Sequence, residues 1–149
     1  MLNRSRAGGR GGSDFRLALA RAQSCARALS VTGERAFSGL CHCRNCQCYT
    51  GSAFETVIAF LAASVSVQGD LKTYNDTGVS GQPVHRRFCP NCGSGVIAEV
   101  DVLPGLTIVR VGTLDDPGAL KPTTDVYRSS AQPWLDLGCE RTRSPKMPA

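Results

Sequence analysis

The chain lacks the features that mark several large functional classes. No apolar run approaches the roughly 18 residues that a membrane-spanning helix needs. The longest, Thr56 to Val67, is broken by Ser64 and Ser66 and suits buried strands. The first 15 residues hold no apolar stretch of the signal-peptide kind, so a cytoplasmic location is the expectation. Histidine is scarce, with only two residues, and aromatics make up 6%. No Ser-His-Asp set, phosphate-cradling glycine loop or paired-carboxylate site can be assembled. No catalytic residue is therefore assigned beyond candidate metal ligands.

Charge is short where nucleic-acid binding would need it. The formal net charge of +5 resides in residues 1–35, where seven arginines face only Asp14 and Glu34. The rest of the chain is balanced. It has no basic face with interleaved aromatics, so neither nucleic acid nor membrane is an expected partner.

Residues 1–30 are rich in Arg, Gly and Ala. They read as an extension, disordered at first and then frayed or partly helical. Their Arg-rich, acid-poor character also suits a mitochondrial presequence, the alternative location. From Val31 onward the pattern becomes short β-like runs between turn residues. Strands are expected over 56–61, 64–68, 72–74 and 84–88. A hairpin of 96–100 with 106–111 should cross Leu103-Pro104-Gly105. Lys72–Tyr74 should end at an Asn75-Asp76-Thr77-Gly78 turn. No 12-residue amphipathic helix is expected after residue 31. Residues 31–140 form one domain on this reading, and 141–149 a frayed tail.

What the chain does have is cysteine: eight in 149 residues. Cys41-His42-Cys43-Arg44-Asn45-Cys46 places three thiols in six residues, and Cys89-Pro90-Asn91-Cys92-Gly93 adds a second knuckle. Such close spacing opposes disulfides, because each sulfur would need its own distant partner. One tetrahedral zinc ion, with Zn–S bonds of about 2.3 Å, can gather them instead. In an extended segment residues i and i+2 share a face, so Cys41 and Cys43 reach one ion and His42 turns away. A tight turn returns Cys46. Three ligands leave a fourth position that is open, or closed by Cys48. Arg44, Arg86 and Arg87 lie near the knuckles and could offset thiolate charge. Trp134 is expected to anchor packing, and Cys139 to be a spare thiol.

Together these residues resemble a known family. Leu40-Cys41-His42-Cys43-Arg44-Asn45-Cys46, Thr50-Gly51-Ser52-Ala53-Phe54 and Arg87-Phe88-Cys89-Pro90-Asn91-Cys92-Gly93 look like the glutathione-dependent formaldehyde-activating enzymes. Pro104-Gly105-Leu106, Val111 to Pro117 and Gln132-Pro133-Trp134 extend the likeness over roughly residues 31–138. The centromere protein V domain is similar. The resemblance implies a compact, mostly β fold of the β-tent type with two zinc sites. It implies that Cys41, Cys43 and Cys46 hold the zinc associated with activity. Cys89 and Cys92 would join an N-terminal Cys-x-Cys pair in a structural site. That pair is missing here, and only Cys25 stands near its place. The activity implied is that of a carbon–sulfur lyase handling a thiol–aldehyde adduct such as S-hydroxymethylglutathione. The alternative is a non-catalytic zinc domain that binds a partner.

Overall fold

The computed structural model of the chain describes residues 28–114, 116–119, 121–138 and 140–147. The presumed extension up to residue 27, and with it Cys25, lies outside the described residues, as does Cys139. The fold is mostly β. In chain order the strands are β1 (Ala28–Val31), β2 (Phe37–Cys41), β3 (Glu55–Leu61), β4 (Val65–Gln68), β5 (Lys72–Thr77), β6 (Pro83–Phe88), β7 (Gly95–Val100), β8 (Leu106–Arg110), β9 (Thr124–Val126) and β10 (Thr142–Arg143). One α-helix among the described residues, α1 (Arg44–Thr50), joins β2 to β3. No helix there is long and apolar enough to cross a membrane.

Eight strands form one sheet in the order β10-β9-β2-β3-β8-β7-β6-β5, while β1 and β4 pair as a separate ribbon. All neighbours are antiparallel except β9, which runs parallel to both β2 and β10. Successive side chains of a strand point to opposite faces, and that alternation sorts the large sheet. Ile58, Phe60, Ile97 and Val109 point to one face, where Leu29 and Val31 of the ribbon cover them. Leu29, Val31, Ile58, Phe60 and Val109 are each at most 2% exposed. Burying such a side chain contributes about 1.5–3 kcal/mol. Val57, Ala59, Ala98, Ile108 and Arg110 point to the other face and line a cavity. Val96 breaks the alternation, because the β6–β7 register shifts between Arg87 and Phe88. The extra residue of that bulge lets Val96 and Ile97 both enter the core.

Several sequence expectations change. Ala28–Val31 is a strand rather than the end of a helical or frayed segment, since Leu29 and Val31 alternate into the core against Val67 and Val65. Lys72–Tyr74 does not stop at Asn75. The strand runs to Thr77 because Asn75 Oδ1 accepts from His85 Nδ1 at 2.8 Å and Asp76 pairs with Arg86 across the ladder. The turn falls later, where Gly81 N–H donates to Gly78 O. Thr142 and Arg143 are not frayed but add a short parallel strand beside β9.

Candidate metal centre

The three closely spaced thiols converge through two different elements. Cys41 is the last residue of β2, held there by the ladder to β3 and by His42 N–H donating to Val126 O at 3.0 Å. Cys43 is the N-cap of α1, with φ −64° and ψ 152°. Its Sγ accepts the Cys46 N–H at 3.4 Å, doing with sulfur what a serine or aspartate oxygen does at an ordinary cap. The expected tight turn is therefore the first turn of a helix, and it brings Cys46 back beside Cys43. Gln47 fixes that turn. Its buried amide donates to His42 O at 2.6 Å and Ser130 O at 2.8 Å, while its carbonyl accepts from Arg44 and Gln132 at 2.7 Å.

The Sγ atoms of Cys41, Cys43 and Cys46 all lie within 4.8 Å of one another. A tetrahedral centre with Zn–S bonds of about 2.3 Å needs sulfurs about 3.8 Å apart. Contraction by less than about 1 Å would suffice, so the donor set fits a zinc ion. His42 does turn away. Its ring packs tilted against Phe54, 5.8 Å between centroids, and its Nε2 lies 3.7 Å from Asp125 Oδ1. Burial pushes the His42 pKa below 6.5, and Asp125 opposes that only in part. Arg141 Nε donates to the same Asp125 oxygen at 3.0 Å.

Charge in the cluster is shared unequally. Hydrogen bonds with Cys41 and Cys46 hold the Cys43 thiol down at about 2, from 9.0. Cys41 is pushed up to about 11, chiefly by its hydrogen bond with Cys43 and further by burial. Cys46 is raised too, by its hydrogen bonds with Cys41 and Cys43 and by burial. Cys43 is thus the most readily ionised of the three thiols.

Cys48 does not join the group. Two residues beyond Cys46 on a helix, it lies on nearly the opposite side. It is exposed in a surface hollow with Arg44, Gln132 and Trp134. Trp134 is 71% exposed, so it anchors no packing. Cys89 is buried and Cys92 exposed, in a turn where Gly93, at φ 74°, donates its N–H to Cys89 O at 2.8 Å. That left-handed conformation suits glycine. Among the described residues no third ligand type gathers with this pair.

The thiols open into a cavity of about 100 Å³ on the outer face of the large sheet. Its wall also carries residues that spacing could not reveal. Glu55 sits opposite Cys41 in the β2–β3 register and forms a buried ion pair with Arg110. Arg110 and Arg86 flank the Tyr49 ring, with guanidinium carbons 4.8 and 4.5 Å from its centroid. Burial lowers the Arg110 pKa from its ordinary value, while Tyr49, Cys46 and Cys41 hold it up. Of the three arginines expected to offset thiolate charge, only Arg86 lines the cavity; Arg44 bonds Gln47 and Arg87 faces Glu99. Tyr127 lines it too, in a left-handed conformation with φ 56° that is uncommon for a side-chain-bearing residue. Its pKa is raised by burial and by the cysteines.

No curated protein matches the chain. Residues 24–130 match the family model described as glutathione-dependent formaldehyde-activating enzyme. The match reaches upstream of Val31 and takes in the cluster, the second knuckle and most cavity walls. With well over half of its length so matched, the chain belongs to the glutathione-dependent formaldehyde-activating enzyme family.

Proposed function

We propose that this protein is a zinc-dependent enzyme of the carbon–sulfur lyase type, acting on a thiol–aldehyde adduct such as S-hydroxymethylglutathione. The observation that carries this reading is a three-thiol cluster facing into a cavity. Three protein ligands with a position left for substrate is the arrangement of catalytic zinc, whereas structural zinc is closed by four. Cys48, which could have closed it, lies outside the cluster, and that supports the enzyme over the partner-binding module.

Cys41, Cys43 and Cys46 would hold the zinc. When bound, the ion would supply a Lewis acid that keeps a substrate sulfur ionised near neutral pH. The protein's own groups then do the rest. Arg110 lies in the field of Cys46 and Cys41, and Arg86 shares the cavity wall with the thiols. Their ion pairs with Asp76 and Glu55 hold them in place. The apolar wall keeps bulk water from the reacting carbon.

The test follows exchange between formaldehyde and glutathione by NMR, with zinc-loaded protein and with the Cys43→Ala variant. Faster exchange with the parent protein and none with the variant is the expected result. Exchange no faster than in buffer, with zinc bound, would sink the proposal.

A further inference from the structure

The cavity beside the thiols is walled almost wholly by hydrocarbon. Its floor is Val57 and Ala59 of β3, Ile108 of β8 and Ala98 of β7. The apolar surface then continues along one face of β7 to Val100 and on to Val102 in the turn that follows the strand. Val79, on the turn before β6, also lines it. Val102 and Val79 are 43% and 57% exposed, two of only five large hydrophobics so exposed among the described residues. Both belong to this lip. At about 3.3 Å per residue, Ala98 to Val100 spans about 7 Å of strand, and the turn carries the wall on to Val102. Formaldehyde carries no carbon chain that would use it.

We propose that the cavity is a binding slot for an aliphatic chain, so that the site also takes adducts whose aldehyde carbon carries a hydrocarbon substituent of several carbons. This rests on the reading of the cluster as the thiol site, because the slot is placed by its continuity with those sulfurs. The reaction is then general. In RCH(OH)–SR′ the hydroxyl gives up its proton, the C=O bond forms, and the C–S bond breaks with its electron pair going to sulfur. That sulfur takes the proton as R′SH, and RCHO is released. The group R lies along Ala98, Val100 and Val102. The polar groups of the wall are Glu55 with Arg110 beside the cluster, and Arg86, opposite Ala98 in the ladder and turned to Asp76.

The experiment is calorimetric binding to the zinc-loaded protein of two straight-chain series, ethanethiol to octanethiol and ethanol to octanol. Each buried methylene should tighten binding by about fourfold until the slot is filled, in both series. Affinity independent of chain length would overturn the slot. The thiol series tests the cluster separately. If each thiol binds no better than the alcohol of equal length while both series climb, the thiol-site reading fails and the slot stands. Ala98→Phe fills the floor and should flatten the climb for longer chains. A climb unchanged by Ala98→Phe in a folded variant would place the hydrocarbon elsewhere and overturn the proposal. The parent protein's series decides the matter even if that variant fails to fold.

Discussion

Zinc loading should release two protons at neutral pH rather than three. The perturbation is pH itself, applied while the ion binds. Cys43 is held as thiolate by the thiols of Cys41 and Cys46, with a pKa of about 2, so it has no proton to lose at pH 5 or above. Cys41, at about 11, and Cys46, also raised, keep theirs through pH 8. Each proton displaced on binding makes the apparent association constant rise tenfold per pH unit. Two protons give about a hundredfold per unit between pH 5 and 8. Three ordinary thiols at 9.0 would give about a thousandfold. At pH 7 the difference for one thiol two units above ambient is about 2.7 kcal/mol. Competition for the first zinc equivalent against a chelator of known pH dependence, at pH 6, 7 and 8, measures the slope. Heats recorded in buffers of different ionisation enthalpy count the protons independently. A thousandfold slope would refute the unequal sharing of charge and the thiol hydrogen bonds from Cys41 and Cys46 that set it.

The remaining predictions concern the cavity wall and the helix behind it. A Cβ at Gly95 would run into the Tyr49 hydroxyl and come within 3.0 Å of its ring, so Gly95→Ala should cost about 1–3 kcal/mol by overpacking. Tyr49→Phe removes a buried hydroxyl that lacks a hydrogen-bond partner among the described residues; alone it should be neutral or stabilising, and it should relieve part of the Gly95→Ala cost in a denaturant double-mutant cycle. Glu55→Ala strands a buried guanidinium and should cost about 3–5 kcal/mol, with Glu55→Leu plus Arg110→Met recovering most of it; a single-variant loss below about 1 kcal/mol would contradict the pairing. Because the folded His42 pKa is lowered from 6.5, its neutral form stabilises the fold above pH 6.5, and that contribution is lost as pH falls below it. His42→Gln should flatten this acid limb in unfolding curves taken on either side of pH 6.5.

Some of this was set by sequence alone. Cys41, Cys43 and Cys46 lie within six residues, and over so short a span the backbone has few ways to arrange three sulfurs other than around a point. The gathering of these three thiols and the turning away of His42 were therefore legible, as were the Val96–Val111 hairpin and the motifs that mark the family. The reversal of Cys48 was local too, but it depended on Cys43 being a helix cap rather than the middle of a turn.

The tertiary structure decided what surrounds the sulfurs. Glu55, Arg86, Ala98 and Arg110 come from four strands, and only the ladder registers set them on the same face as Cys41. A shift of one residue in any of those pairings would send the side chains to the opposite face, so no local pattern could assign them. The Tyr49 ring between two guanidinium groups rests on Gly95, nearly fifty residues away in the chain. The short strand at Ala28–Val31 had the same cause: its segment has helical composition, but Leu29 and Val31 gain more by covering Phe60 and Ile58 than a solvent-exposed helical turn could offer. Spacing brought the three thiols together because they are neighbours in the chain. Long-range strand pairing fixed the cavity because its walls are neighbours only in space.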